Sequence, residues 1–364
     1  LCLRSANLNA NAKWVQNGTT VAGGSGEGSR IDQLHYPWGL FVDDNQTVLI
    51  ADSSNHRIME WKCGAITGRV VAGGNGAGNC ANQLNCPTDV IVDKERHCLI
   101  ICDHGNKRVV RWPRGNGTSG ETIISNIWCW GLTVDDDGSI YIVDHIKHEV
   151  RRYRMEESQG TVVAGGNGQG NHLNQLSNPR YVFVDRDHSV YVSDTNNHRV
   201  IKWVEGAKEG IVVAGGQGQG NGLTQLSDPY GGVVVDQLGT VYVADYNNNR
   251  IMRWHQGAAQ GSLIVGEHGQ GKQPKQIYLP IGLSFDRQGN LYSSFACFSD
   301  IDGVITKGPN FIAAAKPAIQ ALIQLIVPVI FVSNTCMLES DKAKQLSAAL
   351  RVTVSFFFLI HSIF

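Results

Sequence analysis

The side chains best suited to chemistry in this sequence are aspartate and arginine residues that recur at a fixed spacing. An apolar run ends in Asp and an Arg stands five residues later; the pairs are Asp52 and Arg57, Asp103 and Arg108, Asp194 and Arg199, and Asp245 and Arg250. A further aspartate, Asp144, is followed by Glu149 instead of Arg. Such a pair could serve catalysis or phosphate binding, but either role needs it only once. Repetition therefore favours a structural role, in which each pair fixes a turn.

Glycine-rich segments are a second candidate for chemistry. The sequence GGNGQG at residues 165–170 resembles a loop that cradles phosphate, where glycine lets backbone N–H groups approach the anion. Such a loop must begin a helix, and no helical pattern follows. Similar segments come after VAGG in four places, beginning at Val21, Val71, Val163 and Val213. We interpret them as loops between repeats, in which glycine supplies positive φ angles.

The 12 histidines do not assemble a recognisable metal motif. His104 and His145 directly follow repeated aspartates in neighbouring repeats, so their side chains could meet on one face. Two ligands without a third are weak evidence for zinc. His56 and His198 stand just before the repeated Arg, which indicates a solvated turn. We predict no catalytic residue, no metal and no cofactor.

The nine cysteines are an odd number, so at least one lacks a partner within the chain. Cys80 and Cys86 flank one loop and could pair. Cys98 and Cys102 lie on one face of a strand but too far apart for easy bonding. The sequence contains no CxxC pair, and the disulfide state stays open.

A repeat of about 50 residues positions all these groups. The first aspartate of each unit is Asp43, Asp93, Asp135, Asp185, Asp236 or Asp286. Each unit carries four short runs rich in Val, Ile and Tyr, separated by Asp, Asn and Gly, which predicts four antiparallel strands. Several runs are apolar on both faces, so each sheet should pack between two others. Six units predict an all-β fold, a six-bladed β-propeller.

These units resemble NHL repeats, whose pattern is an apolar strand, a turn, V-A-D-x-x-N-x-R and a later V-A-G-G. The match is closest in residues 185–203 and 236–254. Members of the family include TRIM-NHL ubiquitin ligases, bacterial sensor domains and an amidating lyase, so the resemblance implies the fold and no single activity. The third unit departs from the pattern, because it lacks the glycine-rich loop and carries Glu149, and the sixth is degenerate.

The domain prediction has three parts: an N-terminal extension over residues 1–10, the propeller over 11–298 and a tail over 299–364. Residues 11–24 match the third and fourth strands of a unit, so we expect them to complete the sixth blade beside two C-terminal strands. The tail has a different composition and is apolar. It is expected to be a membrane contact, an appended helix or an artefact of the gene model. Leu1 in place of Met suggests a processed N-terminus or a fragment.

Specificity is expected where the repeats differ, at the position that begins the first strand of each unit. The residues there, together with two that follow them, are Trp38, Thr88, Asp89, Trp130, Arg180, Tyr181, Tyr230 and Ile281. We call these eight the rim residues, because they should line one mouth of the central channel, although some could merely plug it. Aromatic residues and Arg are enriched in binding hot spots.

The leading functional hypothesis is a non-catalytic scaffold that binds a protein or peptide through the rim residues. The second is the substrate- or RNA-recognition domain of a TRIM-NHL-like ubiquitin ligase whose RING lies outside this chain. The net charge of −1 for the chain, and of −2 for residues 1–298, disfavours RNA. The third is a metal-dependent lyase or hydrolase at the channel. Oligomeric state and compartment are not predicted.

Overall fold

The protein is built from β-strands, as the computed structural model shows. It describes residues 14, 18–115, 117–154, 157, 159–266 and 277–295, and the backbone of 303–307. The predicted extension 1–10 and residues 299–302 and 308–364 of the predicted tail lie outside the described residues. Within the described part, no helix is long and apolar enough to cross a membrane.

The strands pair antiparallel into six four-stranded sheets, which we number in chain order. Sheet 1 contains β2 (Pro37–Val42), β3 (Val48–Asp52), β4 (Arg57–Trp61) and β5 (Arg69–Gly73). Sheet 2 contains β6 (Pro87–Asp93), β7 (Cys98–Asp103), β8 (Arg108–Pro113) and β9 (Glu121–Ser125). Sheet 3 contains β10 (Cys129–Val134), β11 (Ile140–Asp144), β12 (Glu149–Tyr153) and β13 (Thr161–Gly165). Sheet 4 contains β14 (Pro179–Val184), β15 (Val190–Asp194), β16 (Arg199–Trp203) and β17 (Ile211–Gly215). Sheet 5 contains β18 (Val233–Val235), β19 (Val241–Asp245), β20 (Arg250–Trp254) and β21 (Ser262–Val265).

Sheet 6 joins the two ends of the repeat region, in the order β1 (Thr19–Gly23), β24 (Gly303–Lys307), β23 (Leu291–Phe295), β22 (Pro280–Phe285). The expectation that residues 11–24 supply two strands of this sheet is therefore wrong for one of them. The third strand is β24, which pairs with both β23 and β1. Strand pairing thus extends past residue 298, and the compact unit ends at Lys307.

Trp14, one of the residues 11–24 expected to supply two strands, lies outside any strand. Its indole packs against Tyr242 and Phe285, with ring centroids 5.8 and 6.4 Å apart. An aromatic ring in this position adds apolar contact between sheets 5 and 6 but no backbone pairing.

The cores lie between neighbouring sheets, as strands that are apolar on both faces require. The aromatic residue four positions after each repeated Arg anchors them: Trp61, Trp112, Trp203 and Trp254 are at most 2% exposed. Contacts between the first strands connect each sheet to the next, from β2 through β6, β10, β14, β18 and β22 and back to β2. The first strands therefore meet around one axis, and we call the region where they begin the hub.

Each repeated Asp–Arg pair joins a turn to the loop that precedes its sheet. In sheet 4, the Asp194 carboxylate accepts hydrogen bonds from the Ser177 backbone N–H at 2.7 Å and from Arg199 Nε at 2.7 Å. The Arg199 guanidinium also donates to the carbonyls of Asn171 at 2.9 Å and His172 at 3.1 Å. Arg57, Arg108 and Arg250 make the same set of bonds in their own sheets. The glycine-rich loops are thus held by these arginines, and among the described residues no helix follows them.

Sheet 3 shows why Glu149 is tolerated in place of Arg. The segment before this sheet lacks the glycine-rich loop, so an arginine would find no loop carbonyls there. Glu149 instead pairs with Arg151 at 2.6 Å. Asp144 accepts the Lys147 backbone N–H at 3.1 Å, while Lys147 Nζ lies 3.9 Å from its Oδ2.

The histidine just before the repeated Arg is not a solvated turn residue, contrary to our expectation. His56 and His198 adopt left-handed φ angles of 54° and 51°. Their Nδ1 atoms accept the backbone N–H groups of Cys86 and Asp228 at 3.1 Å, in the loop before the next sheet. The side chain therefore links one repeat to the next.

The described disulfide joins two cysteines for which the sequence suggested no pairing. Cys80 and Cys86 are free, while Cys102 and Cys129 form a disulfide with a Cα–Cα distance of 5.5 Å. This bond joins β7 to β10 and so connects sheets 2 and 3. Sequence alone could not identify it, because the two residues become neighbours only when the sheets pack side by side.

Candidate binding site at the hub

Three aromatic rim residues from alternate sheets meet at the hub. Trp38 lies in β2, Trp130 lies in β10, and Tyr230 lies in the segment before β18. The ring centroids lie 5.1 Å apart for Trp38 and Trp130, 5.5 Å for Trp38 and Tyr230, and 5.6 Å for Trp130 and Tyr230. Such separations are those of directly contacting rings. The three rings therefore fill the centre of this end of the channel, and Trp38 and Tyr230 remain partly exposed.

Arg180 lies between two of these rings. Its guanidinium carbon is 3.7 Å from the ring centroid of Trp130 and 4.4 Å from that of Tyr230, both within cation–π range. The side chain enters the hub because Arg180 is the second residue of β14, the position equivalent to Trp38 in β2. A cation stacked between two aromatic faces is held in one place without a carboxylate.

The other rim residues are buried and bound to backbone or packed in the core. Thr88 Oγ1 donates to the Trp130 carbonyl at 2.7 Å, and the Asp89 carboxylate accepts the N–H groups of Val90 and Leu132 at 2.9 and 3.0 Å. The exposed fractions of Thr88, Asp89, Tyr181 and Ile281 are 2%, 3%, 6% and 1%. The structure thus brings all eight rim residues to the hub but leaves only Trp38 and Tyr230 partly accessible.

A second ring of side chains surrounds this cluster, and only two of its members, His104 and His145, stood out in the sequence. They occupy the position directly after each second repeated Asp: Ser53, His104, His145, Thr195 and Tyr246. Tyr246 stacks on Tyr230 with centroids 5.5 Å apart, and His104 and His145 pack on Trp130 at 4.8 and 5.3 Å. The signal was present, because this position also varies while the aspartate before it does not.

The two histidines meet as their positions suggested, with ring centroids 5.3 Å apart. His104 Nδ1 lies 3.0 Å from the carbonyl oxygen of Cys129, so it carries the proton in that hydrogen bond. Burial lowers the pKa of His104 below its ordinary value. Burial, together with the nearby Arg180 charge, lowers the pKa of His145 to about 3. Both imidazoles are therefore neutral at physiological pH.

Arg180 is consequently the dominant charge at the hub. Burial lowers the pKa of its guanidinium to about 10, which leaves it protonated near neutrality. Burial also raises the pKa of Tyr230, so that phenol stays neutral. The partly exposed surface of the hub is therefore neutral and aromatic, with the Arg180 cation behind it and the buried Asp89 carboxylate held by backbone N–H groups.

Two other features lie away from the hub. Asp135, Asp137 and His188 could together offer metal ligands within 4.8 Å of one another, at the turns that follow the first strands of sheets 3 and 4. The Asp135 carboxylate already accepts the N–H groups of Asp137 and Ser139 and the Tyr141 hydroxyl. A cavity of about 790 Å³ lies between sheets 4 and 5 and is lined by Lys202, Ile211 and Leu238, among others. Neither feature includes a rim residue.

Radially arranged four-stranded sheets with a loop-rich hub define the protein as an all-β propeller, which confirms the predicted fold class. Residues 34–59 and 231–253 match the model of the NHL repeat. The repeat match and the propeller fold together confirm the predicted resemblance to NHL-repeat proteins. The two matched segments contain the repeated pairs Asp52–Arg57 and Asp245–Arg250, on which the resemblance depended.

Solved structures similar to this chain agree on the fold. A protein of unknown function from Bacteroides thetaiotaomicron is 17% identical, with a TM-score of 0.61 over 81% of this chain and 76% of the other. A gluconolactonase from Xanthomonas campestris is 15% identical, with a TM-score of 0.54 over 84% and 96%. A chain of a nidogen–laminin complex is 15% identical, with a TM-score of 0.50 over 68% and 83%. Enzymes and binding proteins therefore share this architecture, and no curated protein matches the sequence.

Residues 297–362 match a second model, that of haloacid dehalogenase-like hydrolases. This segment includes β24 but otherwise lies outside the described residues. The match begins two residues before the predicted tail, so it coincides with the change in composition.

Proposed function

We propose that the protein is a non-catalytic interaction scaffold that binds a peptide or a protein segment at the hub. The observation that carries this proposal is the partly exposed pair Trp38 and Tyr230, packed on a buried Trp130. Aromatic side chains on a rigid support supply large contact area at low entropic cost and dominate binding hot spots. The same repeat position holds unlike residues in the six sheets, although the framework around it recurs.

We also propose that the six sheets are the six blades of one ring closed in sheet 6. The cyclic order of contacts between first strands and the pairing of β1 with β24 support this. Cysteines introduced at the register partners Thr20 and Ile305 should form an intramolecular disulfide. Failure to form it under oxidising conditions would contradict the closure.

The binding proposal is tested by selecting ligands from a displayed library of random peptides. Trp38→Ala and Tyr230→Ala should each weaken the selected peptides by more than about tenfold, as expected for hot-spot residues. Leu238→Ala is the matched control, since Leu238 is 48% exposed and lies in the cavity away from the hub. Unchanged affinity in both hub variants would refute the site.

The ubiquitin-ligase hypothesis would use the same face for substrate recognition, so the same selection tests its recognition step. For the enzyme hypothesis, the described residues place no cluster of metal-ligating carboxylates at the hub. The Asp89 carboxylate there is already engaged by two backbone N–H groups. We therefore favour binding over catalysis.

A further inference from the structure

Arg180 differs from the other buried arginines of the described residues. Arg57, Arg199 and Arg250 are 6%, 6% and 8% exposed, and each lies 2.6–2.7 Å from a buried aspartate. Arg180 is 8% exposed. In the part of the chain that the structure describes, no carboxylate lies within ion-pair distance of it, and its Nε and Nη1 atoms are buried without a hydrogen-bond acceptor. The fold satisfies three buried cations internally and leaves the fourth, at the hub, without a counter-charge.

Two groups around Arg180 also have buried polar atoms without a hydrogen-bond partner among the described residues. Trp130 Nε1, which can only donate, is also buried without an acceptor among the described atoms. His145 is neutral, and its Nε2 likewise lacks a described partner. A buried donor without an acceptor is unfavourable, and a buried cation without a counter-charge is more so. The missing complement is a group that accepts several hydrogen bonds and carries negative charge.

We infer that the hub binds a carboxylate of the partner peptide and that Arg180 pairs with it. A carboxylate is acceptor-only and matches the planar fork of guanidinium donors. This inference rests on the proposed function, because it specifies the chemistry of the ligand at the same site. The carboxylate belongs either to the C-terminus of the peptide or to an Asp or Glu side chain. Both accept hydrogen bonds from a guanidinium in the same way.

Access to Arg180 runs past Tyr230, whose ring covers one face of the guanidinium. Tyr230 lies in the segment before β18, and that strand has three residues where the other first strands have six or seven. The segment therefore has fewer ladder bonds to hold it. A change of the Tyr230 rotamer would uncover the face of the guanidinium that this ring covers.

The first experiment uses acetate as the probe and needs no identified ligand. Replacing chloride by acetate at constant ionic strength should raise the Tm of the wild-type protein and leave that of Arg180→Met unchanged. Arg180→Met should itself fold with a Tm no lower than that of the wild type, because it removes an uncompensated buried charge. Arg186→Met, at an exposed arginine after β14, is the matched control and should respond to acetate as the wild type does. An equal response to acetate in Arg180→Met would overturn the inference.

The second experiment uses the selected peptides in three forms: unchanged, with an amidated C-terminus, and with Asp and Glu replaced by Asn and Gln. One of the two neutralised forms should bind the wild type more than about tenfold more weakly, and that form identifies the source of the carboxylate. Arg180→Met should not distinguish the three forms. If both neutralised forms bind as well as the parent, the carboxylate site is refuted.

The two proposals fail separately. Peptide binding that depends on Trp38 but not on Arg180 or on any carboxylate would leave the scaffold standing and overturn the carboxylate site. An acetate effect that requires Arg180, with no peptide binding that depends on Trp38 or Tyr230, would support the anion site and overturn the peptide scaffold.

Discussion

Removing the repeated arginine from one sheet tests the account of how these repeats are held together. We consider Arg199→Met, which keeps most of the side-chain volume and removes the charge. The wild-type pair is buried, with side-chain exposures of 7% for Arg199 and 0% for Asp194. Breaking a buried ion pair on one side costs about 3–5 kcal/mol, because the remaining charge is left without compensation. The loop carbonyls released at Asn171 and His172 are near solvent and add little.

The expected loss should appear in thermal unfolding followed by circular dichroism. At about 2 °C per kcal/mol for a domain of this size, the Tm should fall by about 6–10 °C. Arg186 is exposed, so the control variant Arg186→Met should change the free energy of unfolding by no more than about 0.5 kcal/mol. A loss below about 1 kcal/mol for Arg199→Met would place the pair among ordinary surface ion pairs and refute the reasoning.

The pH dependence gives this prediction a second check. Burial raises the pKa of Asp194 even with Arg199 present, while the guanidinium opposes that rise. In the variant the pKa of Asp194 should rise further, because the opposing charge is gone. A raised folded-state pKa favours folding at low pH, and that contribution is lost as pH rises through it. The stability deficit of Arg199→Met should therefore shrink on acidification from neutrality to about pH 5, and a deficit independent of pH would contradict the assignment.

Three further predictions concern the framework. Gly215 and Gly218 both have positive φ, but a Cβ at Gly215 would lie 2.5 Å from the His198 carbonyl and one at Gly218 would meet nothing. Gly215→Ala should therefore lose clearly more stability in urea than Gly218→Ala, whose cost is about 1 kcal/mol, and equal losses would contradict the close approach. Replacing Cys102 and Cys129 by alanine opens a loop of 27 residues and should cost about 3–4 kcal/mol by the chain-entropy relation; an unchanged urea midpoint would mean that the bond is absent. His198→Ala removes the acceptor of the Asp228 backbone N–H and should lower the free energy of unfolding by about 1 kcal/mol. His198→Asn should retain most of that stability, because Asn249 accepts the equivalent N–H group, that of Leu279, in sheet 5. Equal losses in the two variants would refute the link.

Much of the fold is determined by the sequence itself, because a repeat of about 50 residues imposes the same local solution each time. Apolar runs ending in Asp set the strands, and Gly and Asn set the turns. The same repeat also fixes the positions of the buried tryptophans between sheets, four residues after each repeated Arg. The break in the period at Glu149 also marked sheet 3 as a sheet whose turn lacks the arginine. These features depend on neighbours within one unit, so no tertiary information is needed.

Features that depend on contacts between different repeats were decided only by the tertiary structure. The third strand of sheet 6 comes from Gly303–Lys307, because a strand is recruited by an open edge wherever the chain can reach it. The Cys102–Cys129 bond and the histidine links between repeats are likewise contacts between sheets. At the hub, the sequence placed Trp38 and Arg180 at equivalent positions but could not show that one is partly exposed and the other buried without a counter-charge. That difference depends on which aromatic side chains fill the hub, and these come from several sheets rather than from any one repeat.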